Sequence, residues 1–106
     1  MVISGGVNIY PAEIEAALHG LPGVRDCAVF GIPDDEFGEA LMAVIEPQPG
    51  MTIDVAAIRV ELKSLLADYK VPRRIELKAE LPREDSGKIF KRHLRDPYWE
   101  NAKRRI

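Results

Sequence analysis

Val24-Arg25-Asp26-Cys27-Ala28-Val29-Phe30-Gly31-Ile32 and Glu39-Ala40-Leu41-Met42-Ala43-Val44-Ile45 are two runs with apolar centres, separated by Pro33-Asp34-Asp35-Glu36-Phe37-Gly38. The separator is built of turn-forming residues, so the runs predict two strands, Val24 to Ile32 and Glu39 to Ile45, paired as an antiparallel hairpin. Neither run alternates cleanly. Ala28-Val29-Phe30 and Leu41-Met42-Ala43-Val44-Ile45 are nearly continuous in apolar character, which predicts central strands covered on both faces.

The segments around the hairpin carry helical spacing. Upstream, Ile14, Ala17, Leu18 and Leu21 recur at helical intervals behind Pro11, which suits a first helical turn, and Glu13 and Glu15 lie near the positive end of that helix. Gly20 and Leu21-Pro22-Gly23 stop it. Downstream, Pro47-Gln48-Pro49-Gly50 is a loop. A second helix runs from about Asp54 to Ala67, with Val55, Ile58, Leu62, Leu65 and Leu66 as its buried stripe. Asp54 suits its N-terminus, and Thr52 is the expected cap. After Tyr69-Lys70-Val71-Pro72 a short strand, Arg74 to Leu77, turns Ile75 and Leu77 inward. A short basic helix, Ile89 to Arg95, closes the pattern, and Asp96-Pro97 is expected to end it because the residue before proline is pushed out of the α region. At the other end, Val2 to Ile9 reads as short strand, glycine turn and extended chain. The fold class is α+β: a small sheet of about three strands with flanking helices, preceded by a short N-terminal glycine hairpin or loop.

The chain has 106 residues, room for one domain and one modest core. No apolar run approaches the ~20 residues needed to cross a bilayer, and the N-terminus lacks the basic region and long apolar stretch of a secretory signal. The single Cys27 excludes an internal disulfide; within its apolar run it reads as a small buried side chain, in keeping with a reducing cytosol. One cysteine and two distant histidines, His19 and His93, argue against a structural zinc site, and the histidines read as helix-surface residues. Asp34-Asp35-Glu36 reads as a solvated turn, so no residue is assigned to a metal. The net charge of −2 hides an asymmetry. Residues 1–80 hold 7 Lys and Arg against 13 Asp and Glu, while residues 81–106 hold 8 against 4. A basic end on an acidic body fits contact with an anion, whether phosphate, nucleic acid or membrane surface, and fits a solvated basic helix equally well.

Two loops could carry chemistry. Leu81-Pro82-Arg83-Glu84-Asp85-Ser86-Gly87-Lys88 is polar and turn-rich, and a lysine directly after glycine can extend its ammonium toward charge developing on a phosphoryl or carboxylate oxygen. It is not a P-loop, since Gly-x-x-x-x-Gly-Lys-Ser/Thr is absent. The same tripeptide also occurs in plain solvated turns. Ser4-Gly5-Gly6-Val7-Asn8 offers bare backbone with little bulk, suited to a slender ligand or another domain, and equally to a hairpin turn with no ligand. There is no Ser/His/Asp or Cys/His arrangement, and the aromatic residues are scattered rather than interleaved with bases as on a single-strand nucleic-acid platform.

Taken together, these segments resemble a known family. Ile3-Ser4-Gly5-Gly6-x-Asn8-Ile9-Tyr10-Pro11-x-Glu13-Ile14-Glu15 is similar to the segment that opens the C-terminal domain of the adenylate-forming (AMP-binding) superfamily: acyl-CoA synthetases, luciferases and peptide-synthetase adenylation domains. Pro22-Gly23-Val24 through Ala28-Val29-x-Gly31-Ile32-Pro33-Asp34 to Gly38-Glu39 matches the same family. So do Tyr69-Lys70-Val71-Pro72 and Leu81-Pro82-Arg83 with Ser86-Gly87-Lys88-Ile89, Arg92 and Leu94-Arg95. The four motifs occur in order and span residues 3 to 95. The tail, Arg95-Asp96-Pro97-Tyr98-Trp99-Glu100 with Arg104-Arg105-Ile106, resembles bacterial fatty-acyl-CoA synthetases more loosely.

The resemblance implies that residues 1–106 are the mobile C-terminal domain of an AMP-forming acid–thiol ligase, with 96–106 as a basic tail. A carboxylate and ATP would give an acyl-adenylate and pyrophosphate, and the thiol of CoA would then displace AMP. Lys88 would be the catalytic lysine of adenylation. Ser4, Gly5, Gly6 and Asn8 would face the passage for the CoA pantetheine arm, and Ser86 and Gly87 would flank the lysine at the ATP site. ATP and CoA are substrates of the whole enzyme, with Mg2+ held mainly by a large N-terminal adenylating domain outside this sequence. That domain, CoA and the acyl-adenylate are the expected partners, with no nucleic acid and no transmembrane segment. The expected location is the cytoplasm, free or peripheral to the membrane. Alone, the chain is expected to be inactive. Two alternatives stand beside this: a fragment of a peptide-synthetase adenylation domain that loads a carrier protein, and a stand-alone α+β module binding nucleic acid or protein.

Overall fold

The central hairpin forms, and it is longer than its apolar core: β3 spans Val24–Asp34 and β4 spans Gly38–Pro47. Their register pairs Asp26 with Glu46 at one end and Asp34 with Gly38 at the other, with an irregularity between Val24 and Asp26. The computed structural model describes the backbone of residues 1–104 and the side chains of residues 1–101. Before the hairpin come β1 (Val2–Ser4), β2 (Val7–Ile9) and α1 (Pro11–His19); after it come α2 (Val55–Leu65), a 3-10 turn (Asp68–Lys70), β5 (Arg74–Leu77) and α3 (Lys91–Arg104). The main sheet has the order β3-β4-β5, antiparallel between β3 and β4 and parallel between β4 and β5, and β1-β2 form a separate antiparallel pair. The return from β4 to a parallel β5 needs a crossover, and α2 supplies it.

Because β3 and β4 are apolar on both sides, each face of the sheet builds its own core. On one face Cys27, Val29, Leu41, Ala43 and Ile45 pack with Ile14 and Leu18 of α1, Ile58 and Leu62 of α2, and Val2 and Ile9 of the N-terminal pair. On the other, Ala28, Phe30, Ile32, Ala40, Met42 and Val44 pack with Leu81, and Ile89, Leu94 and Tyr98 close over them. This two-sided cover is the arrangement the unbroken apolar runs predict. Lys70 adds a cross-link from the 3-10 turn, its ammonium 2.9 Å and 3.0 Å from the two carboxylate oxygens of Glu13 on α1. That bond holds the ammonium's proton more firmly than in a free lysine.

Four local expectations are corrected. The cap of α2 is Asp54, not Thr52: Asp54 is extended, and its Oδ1 accepts the Ala56 amide at 3.0 Å, which Thr52 lies too far back to reach. The helix ends at Leu65 rather than Ala67, and Leu65 is 57% exposed, because the chain turns out at Leu66, whose side chain packs on the core instead. Leu77 is 42% exposed, since it ends a strand paired on one side only, and just Ile75 reaches the core.

The largest correction is α3. It starts at Lys91 and passes through Pro97 to Arg104 rather than stopping at Asp96-Pro97, so the expected basic tail from 96 onward is helix as far as it is described. An interior proline removes one backbone bond and crowds the carbonyl four residues back, at a cost of roughly 3 kcal/mol. Docking offsets that cost. Tyr98 packs on Phe30 with ring centroids 6.3 Å apart, and the Trp99 indole N–H donates to the Gly31 carbonyl at 2.9 Å. Residues 105 and 106 of the expected tail lie outside the described residues.

Candidate functional site

Lys88 sits on the returning arm of a tight reverse turn whose tip is Asp85-Ser86. The Glu84 amide donates to the Lys88 carbonyl at 2.8 Å, the Gly87 amide donates to the Glu84 carbonyl at 2.9 Å, and Arg83 bridges to Ile89 as an isolated antiparallel pair. Gly87 has φ +89°, a conformation that needs glycine, and this is the local reason why a glycine precedes the lysine. Ser86, Gly87 and Lys88 are all exposed. Among the described residues Lys88 makes no ion pair and no side-chain hydrogen bond.

The base of the turn is fixed. Arg83 Nη2 lies 2.9 Å from Asp26 Oδ2 and 3.5 Å from Glu46 Oε1, while its Nη1 donates to the Gly87 carbonyl at 3.3 Å. Glu46 is buried yet fully engaged: it accepts the Leu81 amide at 2.8 Å and pairs with Arg25 at 3.2 Å. Burial alone would raise the Asp26 carboxyl, but hydrogen bonds from His19, the Cys27 amide and Arg83 outweigh it and hold the group below its usual range. Asp26 and Glu46 face each other across the hairpin, so the anchor for the Lys88 turn is one end of β3-β4.

The glycine hairpin is anchored at the other end. Gly5 and Gly6 both have positive φ, +57° and +83°, as the two central residues of a primed turn require. The Gly5 amide donates to the Phe37 carbonyl at 3.0 Å, and a Cβ at Gly5 would come within 3.2 Å of the Phe37 ring. Arg73 stacks on the Phe37 ring, its guanidinium carbon 4.2 Å from the ring centroid. Ser4, Gly5 and Val7 line a cleft of about 320 Å³ with Phe37, Tyr69 and Arg73. Gly6 and Asn8 are exposed, and a Cβ at Gly6 would meet nothing within 4 Å. Asn8 pairs with Ile3 across the turn, on the face opposite the buried Val2 and Ile9.

The structure therefore does not bring the two candidate loops together. Their anchors, Asp26 and Asp34-Gly38, are eight residues apart along β3. At about 3.4 Å per residue that is roughly 27 Å. Within each loop, however, the residues read from sequence are neighbours: Ser86, Gly87 and Lys88 in one turn, Ser4, Gly5, Gly6 and Asn8 in one hairpin. Sequence reading missed the supports. Arg83, Asp26 and Glu46 stand far apart along the chain, as do Phe37 and Arg73 relative to Gly5. A glutamate closing the apolar run Leu41 to Ile45 was the one available sign of a buried, paired carboxylate.

Cys27 has a histidine near it, with Sγ 3.8 Å from His19 Nε2, but it is not a nucleophile. The side chain is buried, the thiol is pushed up to about 12 by burial and then by Glu15 and Asp26, and Sγ donates weakly to the Glu15 carbonyl at 3.7 Å. Nor does Mg2+ find a fitting donor set here: among the described residues no three His, Cys, Asp or Glu side chains gather as metal ligands.

Comparison with known proteins agrees along most of the sequence. The family model for the AMP-binding enzyme C-terminal domain matches residues 13–88. The chain is 50% identical over 95 residues to a feruloyl-CoA synthase of an Amycolatopsis species, covering 90% of this chain and 19% of that protein. It is 39% identical over 98 residues to the long-chain-fatty-acid–CoA ligase FadD13 of Mycobacterium tuberculosis, covering 92% and 19%. The crystal structure of apo MatB from Rhodopseudomonas palustris superimposes with a TM-score of 0.86 at 42% identity, over 92% of this chain and 19% of that one. The chain thus spans about a fifth of the length of the relatives it matches. It belongs to the AMP-binding enzyme C-terminal domain family.

Proposed function

We propose that this chain is the mobile C-terminal domain of an AMP-forming acyl-CoA synthetase, and that Lys88 is the residue it carries to the adenylation centre. The observation that carries this reading is an exposed ammonium, without a partner among the described residues, on a turn with a clamped base. A lysine held this way reaches outward from a fixed point, with its charge uncommitted. In adenylation a carboxylate must approach the α-phosphate of ATP, two anions closing on each other, and a cation between them lowers the repulsion most at the transition state. Ser86 and Gly87 would shape the turn at that site.

The second half-reaction would use the other end of the hairpin. Ser4, Gly5, Gly6 and Asn8 present backbone with almost no side-chain bulk, suited to the wall of a narrow passage for the pantetheine arm of CoA. The separation of the two anchors supports a domain that rotates between the steps, since one centre cannot hold both loops at once. The large adenylating domain, ATP, CoA and Mg2+ complete the reaction in this reading, and none of its steps is assigned to a metal in this chain. The feruloyl and long-chain fatty acyl relatives support a carboxylic acid substrate, fatty acid being the favoured class. Among the described residues no helix is long and apolar enough to cross a membrane; we place the enzyme in the cytoplasm, free or at a membrane surface.

The test is Lys88→Ala in the polypeptide that joins this chain to its large domain. Pyrophosphate exchange should fall by roughly 100- to 1000-fold, the usual loss for one preorganised donor at a developing charge. Thioester formation from supplied acyl-adenylate should stay within a few-fold of the parent. Equal loss in both steps would overturn the assignment.

A further inference from the structure

We infer that Arg83, with Asp26 as its seat, is a positioning residue for Lys88: it sets the direction in which the lysine leaves the domain. This deepens the reading above and rests on Lys88 being the adenylation lysine. Among the described residues, Arg83 is the side chain whose hydrogen bonds tie the turn, at Gly87, to the sheet. One guanidinium nitrogen lies 2.9 Å from Asp26 Oδ2 and the other donates to the carbonyl of Gly87, the residue before Lys88, at 3.3 Å. Asp26 is itself held, with Oδ1 2.9 Å from the Cys27 amide and 3.0 Å from His19 Nε2. The rigid sheet thus reaches the Lys88 backbone through a planar fork, and a fork fixes orientation where a single contact would fix only distance.

The rest of the turn makes this link necessary. Its remaining bonds are internal or local: Glu84 to Lys88, Gly87 to Glu84, Phe90 to Pro82. They preserve the shape of the turn but do not fix its angle to β3 and β4. Leu81, buried and tied to Glu46, anchors the entering arm, and Ile89 anchors the leaving one by packing on the sheet. Without Arg83 the turn would keep its form and rock about the line joining Leu81 to Ile89, which packs on the sheet just after Lys88. A lysine displaced by about 1 Å from a reacting centre costs on the order of 100-fold in rate.

The test has two arms. In the 106-residue chain, Arg83→Ala should lower the backbone order parameters of Gly87 and Lys88 from about 0.85 toward 0.6, leaving β3 and β4 unchanged. In the complete enzyme it should lower kcat of adenylation by roughly 10- to 100-fold with KM for ATP nearly constant. Thioester formation from supplied acyl-adenylate should persist, which also certifies folding. Arg83→Lys should recover only part of the loss, and Asp26→Asn should resemble Arg83→Ala. The deciding comparison is the double variant. If Arg83 acts through Lys88, Arg83→Ala adds nothing to Lys88→Ala. Additive losses, or an unloosened turn, would overturn the inference and leave the Lys88 reading standing. A silent Lys88→Ala would instead remove the reading on which it rests.

Discussion

Asp26 shows how much one side chain can carry here. It sits at the start of the long hairpin and meets His19, its neighbour's amide and Arg83 at once. Burial works against its charge and the three bonds overcome it, so its folded pKa lies below the ordinary value near 4. A carboxyl depressed on folding contributes stability that is complete above its unfolded pKa and is lost as pH falls through the folded one. The chain should therefore lose stability on acidification below about pH 4, and Asp26→Asn should lower stability at neutral pH while flattening that acid limb. Melting temperatures of both proteins between about pH 2 and 6 check this; parallel curves would show that Asp26 is not the group responsible. The acidic residues that the sequence offered in quantity differ sharply in role for this reason. Asp34 turns back on the amides of Glu36 and Phe37, whereas Asp26 ties together distant segments.

At the scale of elements, α3 is where local rules and tertiary contacts disagree. A basic, proline-containing segment has poor helical prospects alone, and by itself it favours a short helix followed by a tail. What carries the helix past Pro97 is the sheet beneath it. The free edge of β3 presents backbone groups, and side chains from the helices satisfy them: Trp99 donates to the Gly31 carbonyl, and Glu15 accepts the Val29 amide at 3.0 Å while pairing with Lys91 of α3. The same contacts cover an edge that would otherwise invite another strand. Trp99→Phe keeps an aromatic ring but trims the indole and removes its donor, so it should cost at least about 1 kcal/mol in chemical denaturation. An unchanged midpoint would mean that packing by Tyr98 and Leu94 suffices to hold α3.

For the whole molecule the decisive quantity is the length of the β3-β4 hairpin. It separates the anchors of the two loops by roughly 27 Å, so defects in them should separate too. Gly6 has φ +83°, and a Cβ there meets backbone strain of about 1–2 kcal/mol but no atom within 4 Å. Gly6→Val should therefore leave the fold intact and place bulk on the exposed hairpin tip. In the complete enzyme it should slow thioester formation at least tenfold, about 1.4 kcal/mol, while pyrophosphate exchange holds, the reverse of Lys88→Ala. Matching losses in both half-reactions would refute the division of labour between the ends of the hairpin.

Much of this architecture was legible because it depends on neighbours in the chain. Unbroken apolar runs need cover on both faces, a proline suits only the start of α1, and Gly5-Gly6 and Gly87 mark turns that other residues would strain. The role proposed for Lys88 comes from four ordered motifs rather than from Ser86-Gly87-Lys88 alone, and the half-reaction assays above are its test. The tertiary structure decided the rest: that α3 continues through Pro97, that Leu65 and Leu77 stay in water, and that Arg83, Asp26 and Glu46 converge beneath Lys88. Each of these depends on groups far apart in sequence, whose energies exist only after the sheet has brought them together. The sequence singles out the lysine through motifs spread along the chain, whereas the tie from its turn through Arg83 to Asp26 exists only in the folded sheet.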